Sequence, residues 1–407
     1  MIRGEIVINK KSKSSYKKSG YDRNTAAKEK KKFIEQLLKD AEENKRFPWH
    51  RDNISLAPKS LGVILKNQAI NKKGNYEVPE ERAEYKGINR LTLTLAAMQH
   101  GYKDSRWVTF ALMKKLGGHL KKHENPNEHE KAQTIYVFKP KGRYLTKFNP
   151  ETGMEEIQYE KDKNGNYVKD EDGKKIPKIQ MKNVEEYYKV FNVDQIEGLN
   201  LPPEKDFSDE ISKQKQSEAM ETILKNSEAK IYYDQDRSGE SFYSKASDTI
   251  HLPERKMFKS LEGFYGTAAH EIAHSTGHEN RLKRDMTGTF GTPSYAKEEL
   301  VAELTAVFLK QELGIQIPPK DYQNHEAYLK SWDQEINFLK AKPNEFFKVC
   351  TQAEEATRYI KEHMLEKELK KEETKEVKAE KEEIREVPKE KTTKGIHPRH
   401  SSKGMER

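Results

Sequence analysis

Apolar positions recur along this chain with two different periods, and each period predicts a different kind of element. Apolar residues spaced every three or four positions predict helices with one buried face. This pattern is found over 25–44, 91–100, a short stretch ending at Gly117-Gly118, 261–278, 297–310, 327–339 and 346–365. Short runs of β-branched and aromatic residues predict strands. These runs are 119–122, 132–138, 190–195, 229–233, 241–244 and 249–252. Because both halves contain helices and strands, we expect an α+β fold.

Polar stretches divide the pattern into two predicted domains. We expect a basic α/β domain over 25–200, interrupted at about 148–182 by a charged insertion rich in Gly and Asn. A second domain is expected over 205–365. The flanks 1–24 and 366–407 are polar and lack the apolar residues that a core requires. We therefore predict a disordered basic tail at the first and a charged low-complexity tail at the second.

The composition excludes several classes of protein. The chain has 407 residues, 35% of them charged, and a mean hydropathy of −1.05, and no apolar run is long enough to span a bilayer. Residues 1–18 lack the apolar centre of a signal peptide. Cys350 is the only cysteine, which excludes internal disulfides and a cysteine-ligated zinc cluster. We expect a cytoplasmic, bacterial protein with no membrane partner.

The net charge of +9 is unevenly distributed. Residues 1–150 contain 33 Lys and Arg against 16 Asp and Glu, a net charge of +17, so the remaining residues carry 9 − 17 = −8. A lysine-rich genome would not reverse the sign between the halves. The asymmetry favours a polyanion-binding module joined to a domain with a different task.

Residues His270-Glu271-Ile272-Ala273-His274 form an H-E-x-x-H motif inside a predicted helix. Residues four positions apart share a helical face, so both imidazoles can bind one Zn²⁺. The catalytic role of the intervening Glu271 in such motifs is that of a base that takes a proton from water. Small and apolar neighbours can bury the helix beside these residues, and Gly277 can end it. The context favours a metal site over an exposed amphipathic helix.

The third metal ligand is expected on the next helix, for which Ser294 is a suitable N-cap. In zincins with a glutamate ligand, that ligand follows H-E-x-x-H on a helix, and an acidic residue four positions later commonly orients a histidine. Glu299 and Glu303 have this spacing. We therefore predict Glu299 as the metal ligand and Glu303 as the support of a histidine. Glu298 lacks an acidic partner at plus four and is predicted on a solvated face.

A histidine-terminated site is the alternative. His270 to Gly277 also matches the start of H-E-x-x-H-x-x-G-x-x-H, but the last position is Asn280. His278 comes two residues early, on the same helical face as His274. It is expected to bind substrate, to stabilise an oxyanion or to stabilise the C-terminus of the helix as a cation. It is not expected to be a primary ligand, although His278 and Glu303 are the alternatives if one of the three predicted ligands fails.

Aromatic and basic residues are interleaved in the N-terminal half, as binding of single-stranded nucleic acid requires. Core packing competes with this interpretation for each ring, and for Trp107 it is the better one. Exposed solubilising charge competes for each cation. The candidate DNA-binding residues are Trp49, Tyr85, Asn89, Arg90, Arg106, Lys121 and Lys122.

An ordered series of motifs resembles the ArdC antirestriction family over roughly residues 30 to 360, excluding the insertion. The N-terminal motifs are Pro48-Trp49, Tyr85-x-Gly87-Ile88-Asn89, Ser105 to Phe110, Leu116-Gly117-Gly118 and Val190 to Gln195. The C-terminal motifs are Asp248-x-Ile250-x-Leu252-Pro253, His270 to His278, Tyr295-Ala296-x-Glu298-Glu299-Leu300-Val301-Ala302-Glu303 and Ser331-Trp332. Ser275, often aromatic in such proteins, and the acidic loop Glu124 to Lys131 depart from the family pattern.

The resemblance implies a domain that binds single-stranded DNA joined to a zincin-like metallopeptidase domain, with a small sheet before the H-E-x-x-H helix. It also implies carriage on plasmids or other mobile elements and protection of incoming DNA from host restriction. We therefore predict a zinc metallopeptidase of an antirestriction system that acts on a protein or peptide. The alternative is a DNA-binding protection protein whose zinc site is structural or catalytically dispensable. A zinc-dependent nuclease is a weaker alternative, because this motif with a glutamate ligand belongs mainly to peptide hydrolysis.

Overall fold

The described part of the chain is a mixture of helices and strands, which confirms the predicted α+β fold class. The computed structural model describes residues 23–50, 56–71, 83–123, 125, 128–204, 210–234, 240–315 and 326–366. The predicted tails at 1–24 and 366–407 lie outside these residues, apart from 23, 24 and 366, which are helical.

Nine α-helices are found in the described residues, and the apolar spacing predicts seven of them with shifted ends. They are α1 (Arg23–Asn44), α2 (Leu61–Asn71), α3 (Gly87–His100), α4 (Phe110–Lys115), α5 (Glu210–Lys225), α6 (Leu261–Ser275), α7 (Pro293–Leu313), α8 (Glu326–Ala341) and α9 (Glu345–Ile360). The pattern does not predict α2 and α5. Helix α2 opens with a continuous apolar run that has no helical period, and α5 carries few apolar residues.

A four-stranded sheet dominates the N-terminal half. Its strands are β1 (Lys59–Ser60), β2 (Arg106–Thr109), β4 (Gln133–Tyr144) and β7 (Ile179–Asn192), in the order β1-β2-β7-β4. Only β1 and β2 pair in parallel. One face packs on α3, where Leu93 meets Trp107 and Val190 in an apolar cluster. The prediction of core packing for Trp107 is therefore confirmed, and its indole is fully buried.

The predicted insertion at about 148–182 continues from the outer end of this sheet. Strands β4 and β7 pair as a long antiparallel ribbon from Gln133↔Val190 to Tyr144↔Ile179. The ribbon is followed by a hairpin of β5 (Thr146–Asn149) and β6 (Met154–Ile157). Isolated bridges such as Tyr159↔Pro177 extend the pairing further. Two short strands, β3 (His119–Leu120) and β8 (Ile196–Glu197), form a separate pair.

A small three-stranded sheet precedes the H-E-x-x-H helix, as the family resemblance implied. Strands β9 (Lys230–Asp234), β10 (Phe242–Ser244) and β11 (Thr249–Pro253) are ordered β10-β11-β9, with β10 antiparallel to β11. Alternate residues of β11, Ile250 and Leu252, are buried against α6. The sheet therefore supports one face of α6 and leaves the other for chemistry.

One apolar cluster joins the two halves of the chain. It combines residues of α1 and the turn Pro48–His50 with residues of α7, α8 and α9. The Trp49 ring lies 4.6 Å from Phe47 and 6.4 Å from Phe346, both in stacked orientation. The predicted domains at 25–200 and 205–365 thus share a core in which α7 is central.

None of the helices in the described part has the length and apolar character of a membrane span. The two longest, α1 and α7, have 22 and 21 residues, and both carry several charged side chains. Unpaired charge is costly in hydrocarbon.

Candidate metal centre

Helix α6 presents its two histidines on the face that does not pack on the sheet. Its N-cap is Ser260, whose hydroxyl oxygen accepts a hydrogen bond from the backbone N–H of Gly263 at 3.0 Å. Phe264, Ala268 and Ile272 are fully buried in the core beside β11. The helical period then places His270 and His274 together on the remaining face.

Three side chains from α6 and α7 converge on one point. His270 Nε2 lies 3.1 Å from His274 Nε2. The carboxylate of Glu299 faces both nitrogens, with Oε2 3.5 Å from His270 Nε2 and Oε1 3.6 Å from His274 Nε2. All three possible ligand atoms lie within 4.8 Å of one another. Two imidazole nitrogens and a carboxylate oxygen form a donor set that suits a catalytic zinc ion, so the residues fit the predicted metal.

Charge interactions dominate the protonation of this group. Burial on its own would lower the pKa of His274, but the carboxylates of Glu299 and Glu298 raise it well above its ordinary value. Burial would likewise raise the pKa of Glu299, which His274 and His270 lower well below the ordinary range. The three groups thus stabilise one another as opposite charges in the metal-free protein. A cation at this point would replace the protons of the histidines.

Glu271 lies between the two histidines in sequence and is almost completely buried. Burial raises the pKa of its carboxyl group, while neighbouring His270 and His274 and a backbone hydrogen bond from Tyr243 act in the opposite direction. The side chain is therefore a carboxylate held in a low-dielectric environment beside the donor set. This is the situation in which a glutamate becomes a stronger base.

Tyr295 is a polar neighbour of the site whose part the sequence motifs did not reveal. It lies in the first turn of α7, whose N-cap Thr292 accepts a hydrogen bond from its backbone N–H at 3.3 Å. Its hydroxyl is hydrogen-bonded to Glu299, and burial and that carboxylate raise the pKa of the phenol. The phenol therefore stays protonated and available as a donor. Its place in the Tyr295-Ala296-x-Glu298-Glu299 motif was the only available signal.

The prediction that Glu298 lies on a solvated face is wrong. Glu298 is 8% exposed, and its Oε1 lies 3.2 Å from His274 Nδ1. Arg284 donates to both carboxylate oxygens, from Nη2 at 2.6 Å and from Nε at 2.9 Å. The error arises because α7 is buried on nearly all sides, so it has no solvated face at this turn. Glu298 rather than Glu303 contacts a ligand histidine.

The predicted support of a histidine ligand by Glu303 is also wrong. Glu303 Oε2 accepts a hydrogen bond from Trp49 Nε1 at 3.1 Å and lies 3.2 Å from His50 Nε2. The four-residue spacing places Glu303 one helical turn further along α7 from Glu299. At that level the neighbour of α7 is the turn Pro48–His50 instead of α6. Glu303 thus connects α7 to the N-terminal half.

His278 is placed away from the donor set. Among the described residues, the group of side chains able to hold a metal contains His270, His274 and Glu299 but not His278. Its Nδ1 accepts a hydrogen bond from the backbone N–H of Asn280 at 3.3 Å, within the loop after α6. His278 therefore lies outside the group formed by His270, His274 and Glu299.

Three of the candidate DNA-binding residues are buried, which contradicts direct stacking or phosphate contact. Trp49 and Arg90 are fully buried, and Arg106 is nearly so. Arg106 donates to Asp104 Oδ2 at 2.5 Å and to the carbonyl oxygen of Pro202 at 2.8 Å. A guanidinium that is already paired and shielded from solvent has little left for a phosphate.

Arg90 forms a buried charge cluster between the halves. Its guanidinium lies 2.7 Å from Glu312 and 3.3 Å from Glu84, and its Nη1 donates to the carbonyl oxygen of Phe308 at 3.3 Å. Burial would raise the pKa of Glu312, yet Arg90 and neighbouring lysines lower it to about 2. The arginine therefore holds α3 against α7. Its predicted phosphate contact is wrong, since the charge is neutralised inside the protein.

The remaining candidates divide into structural and exposed residues. Asn89 lies inside α3 and bonds the backbone of Tyr136 in β4, donating to its carbonyl oxygen at 2.7 Å and accepting from its N–H at 2.8 Å. Tyr85 packs partly buried beside α3. Lys121 and Lys122 are exposed in the loop after β3. These two lysines are accessible to a polyanion.

Two known families match different parts of the chain. Residues 27–191 match the N-terminal domain of anti-restriction factor ArdC. Residues 218–352 match a zincin-like metallopeptidase. The first range contains most of the four-stranded sheet, and the second contains His270, His274 and Glu299.

Curated relatives match most of this chain. DNA primase TraC of Escherichia coli is 34% identical over 288 residues, which are 69% of this chain and 23% of that protein. A second TraC of Escherichia coli is 34% identical over 286 residues, 69% of this chain and 17% of that protein. The chain thus spans less than a quarter of the TraC proteins that it matches. Uncharacterized protein y4eC of Sinorhizobium fredii is 23% identical over 311 residues, 76% of this chain and 83% of that protein.

Two solved structures share the fold over both halves. The metal-free crystal structure of antirestriction ArdC protein from plasmid R388 is 27% identical, with a TM-score of 0.51, covering 81% of this chain and 96% of that one. The Mn(II)-bound structure of the same protein is 25% identical, with a TM-score of 0.51 and coverages of 82% and 97%. Because each match covers more than four fifths of this chain, the similarity extends into both halves.

Proposed function

We propose that this chain, which belongs to the ArdC-like antirestriction family, is a zinc-dependent metallopeptidase joined to a region that binds single-stranded DNA. Its proposed role is to protect incoming plasmid DNA from host restriction. The convergence of His270, His274 and Glu299 beside the buried Glu271 carries the enzymatic part of this proposal. Family membership and the basic N-terminal half carry the DNA-binding part.

The proposed zinc ligands are His270, His274 and Glu299, which leaves a fourth position for water or substrate. When bound, the ion supplies Lewis-acid chemistry by polarising a carbonyl oxygen and making a water molecule more acidic. Mn(II) in the related plasmid R388 structure shows that the relative accepts a divalent ion. The imidazole-rich donor set of this chain favours zinc in our proposal.

The proton transfers are assigned to this chain's own side chains. Glu271 takes the proton of the attacking water and delivers it to the nitrogen of the leaving amine. The pKa of Glu271 is raised toward neutral pH. A group whose pKa lies near the working pH can both accept a proton and give it back. Tyr295 supplies a protonated hydroxyl in the same place, as a donor for the carbonyl oxygen that gains negative charge.

The DNA-binding part of the proposal now rests on fewer residues. Lys121 and Lys122 are exposed in the loop after β3, so they suit phosphate contact. Binding through lysines of this kind depends on counterion release and weakens steeply with salt. Residues 151–407 carry a net charge of −8, which does not favour contact with a polyanion.

Replacement of the proposed base tests the enzymatic function. Glu271→Gln keeps the size of the side chain but removes its basicity, so hydrolysis of peptides should fall by roughly 10²–10⁴-fold while zinc content stays unchanged. Cleavage is measured by mass spectrometry on a peptide library incubated with the zinc-loaded protein. Unchanged cleavage in Glu271→Gln would refute the mechanism.

Restriction protection measured on the same variants separates the two functions. Transfer of unmodified plasmid DNA into a restricting host is scored for wild type, Glu271→Gln and the double variant Lys121→Glu/Lys122→Glu. Loss of protection in Glu271→Gln supports a role of peptidase activity in antirestriction. Full protection by Glu271→Gln, with loss in the lysine variant, favours a DNA-binding protection protein whose zinc site is dispensable.

A further inference from the structure

We propose that Arg284 is a positioning residue of the metal centre, acting through Glu298 to fix the orientation of His274. This inference rests on the proposed function, because it takes His274 as a metal ligand. It concerns side chains that the H-E-x-x-H motif does not include. The contacts that carry it lie behind His274, on the side of the ring away from the donor set.

Glu298 forms the link between the arginine and the histidine. Its Oε1 lies 3.2 Å from His274 Nδ1, while His274 Nε2 faces Glu299 and His270. A carboxylate at Nδ1 accepts the proton of that nitrogen, which leaves the lone pair of Nε2 directed at the metal position. Glu298 thus selects the tautomer of His274 that can bind a cation.

Arg284 holds this carboxylate in place by a two-pronged contact. Nη2 donates to Oε1 at 2.6 Å and Nε donates to Oε2 at 2.9 Å. Such paired hydrogen bonds fix the plane of a carboxylate as well as its position. The side chain of Arg284 is 4% exposed and that of Glu298 is 9% exposed, so water does not compete for these bonds.

The loop after α6 anchors the guanidinium to the helix that carries the histidines. Arg284 Nη1 donates to Thr276 Oγ1 at 2.6 Å, and Nη2 donates to the carbonyl oxygen of Ala273 at 2.8 Å. The backbone N–H of Arg284 donates a hydrogen bond to the carbonyl oxygen of Gly277 at 3.0 Å. Arg284 therefore ties the last turn of α6 to Glu298 of α7, and the two helices cannot shift independently at His274.

Gly277 leaves room for this arrangement. A Cβ atom at Gly277 would lie 2.6 Å from Met286 Sδ and 3.0 Å from Arg284 Nη2. In the H-E-x-x-H-x-x-G-x-x-H pattern, the turn at this glycine returns a third histidine to the metal. In this chain the position of that third histidine is occupied by Asn280. The same turn instead places Arg284 against the carboxylate of Glu298, which contacts His274. The loop after α6 thus provides a residue that orients a proposed metal ligand, and not a further ligand.

Zinc affinity of arginine variants tests the proposal without any assay of catalysis. Arg284→Met removes the paired hydrogen bonds, and Arg284→Lys keeps the charge but not their planar geometry. Loss of an outer partner of a metal ligand typically weakens binding about 10- to 100-fold. We expect a loss in this range for Arg284→Met and a smaller loss for Arg284→Lys, measured by competition with a chromophoric chelator at one pH.

Arg281→Met is the matched control. Arg281 belongs to the same loop, its side chain is 3% exposed, and it pairs with Asp248 and donates to the carbonyl oxygen of Ser275 at 2.6 Å. Its side chain is therefore as buried as that of Arg284, but it contacts Asp248, Tyr243 and Ser275 in place of His274 and Glu298. Its replacement should change the zinc dissociation constant by less than about threefold. An equal loss in Arg281→Met and Arg284→Met would overturn the specific role of Arg284.

The tautomer of His274 in the wild-type protein provides a second measurement that needs no variant to fold. Nitrogen NMR of the zinc-loaded protein should show the proton of His274 on Nδ1, and the opposite tautomer would contradict the proposal. If wild type binds no zinc, the proposed function itself fails. If wild type binds zinc and both Arg284 variants bind it equally well, only the positioning role fails.

Discussion

His274 lies between two glutamates that are adjacent in sequence. Glu298 faces its Nδ1 at 3.2 Å and Glu299 faces its Nε2 at 3.6 Å. Consecutive residues of a helix point about 100° apart, so they can meet opposite edges of one ring only if that ring lies between their directions. The close contact of α6 with α7 provides this geometry. One glutamate is thereby assigned to the metal and the other to the orientation of its ligand.

The raised pKa values of His270 and His274 predict opposite effects of pH on the metal-free and the zinc-loaded protein. A histidine whose folded-state pKa exceeds its unfolded value of about 6.5 stabilises the fold fully below that value. This contribution is lost as the pH rises through the folded-state pKa. Zinc binding requires neutral imidazoles and so strengthens over the same interval. The increase in unfolding temperature caused by zinc should therefore grow between about pH 6 and pH 8.5.

Thermal unfolding with zinc and with EDTA across this pH range measures the effect. His274→Gln, which removes one titrating ligand, is the control and should flatten the dependence. Glu299 does not contribute in this interval, because a carboxyl with a lowered pKa loses its stabilisation only as the pH falls below about 4.5. A zinc effect that is constant or that shrinks toward pH 8.5 would contradict the assignment of both histidines.

Helix α7 shows most clearly how far the sequence predicts the structure. The position of its candidate ligand Glu299 and its pairing with the H-E-x-x-H helix follow from spacing and family motifs. The predicted N-cap is wrong, because Thr292 caps α7 and Ser294 lies inside its first turn, after Pro293. The partners of Glu298 and Glu303 do not follow, because they depend on which distant segment covers each turn of a helix that is buried all round. Arg284 could not be found either, since the turn that returns it is a tertiary feature. Local periodicity fixes elements but not the neighbours of a buried charge.

The central position of α7 predicts a large energetic effect for its apolar residues. Phe308 is fully buried in the shared cluster. Phe308→Ala should destabilise the metal-free protein by about 3–5 kcal/mol through lost burial and a cavity. Phe290→Ala is the matched control, because the Phe290 ring is 60% exposed in the loop before α7. Its effect should stay within about 0.5 kcal/mol. Urea unfolding measures both, and equal effects would contradict the proposed role of α7.

At the scale of the whole molecule, the boundary near residue 200 separates the sequence motifs but not the core. Helix α1 and the turn containing Trp49 pack on α7, α8 and α9. Arg90 of α3 pairs with Glu312 at the other end of α7. Helix α7, which carries Glu299, therefore contacts the N-terminal half at two places along its length, at Glu303 and at Glu312. A shift of the turn that contains Trp49 would therefore act directly on Glu303, because Trp49 donates a buried hydrogen bond to its carboxylate.

This shared core predicts that a fragment covering 201–366 is less stable than the full chain. Removing the N-terminal half exposes apolar surface of α7 and α9 and leaves Glu303 and Glu312 without Trp49 and Arg90. The fragment thus loses the stabilisation that burial of this apolar surface gives the full chain, about 25 cal/mol per Å². Thermal unfolding of the EDTA-treated fragment should begin at a lower temperature, with increased binding of a hydrophobic dye. An unfolding temperature equal to that of the full chain would show that the two halves are energetically independent.

Anomalous diffraction at the zinc edge, from crystals of the zinc-loaded full-length protein, tests the central claim most directly. We expect one peak about 2.0–2.2 Å from His270 Nε2, His274 Nε2 and a carboxylate oxygen of Glu299. Glu298 should remain on Nδ1 of His274, and Glu303 should remain with Trp49. A peak ligated by Glu298, Glu303 or His278 in place of Glu299, or a principal peak away from α6, would contradict it.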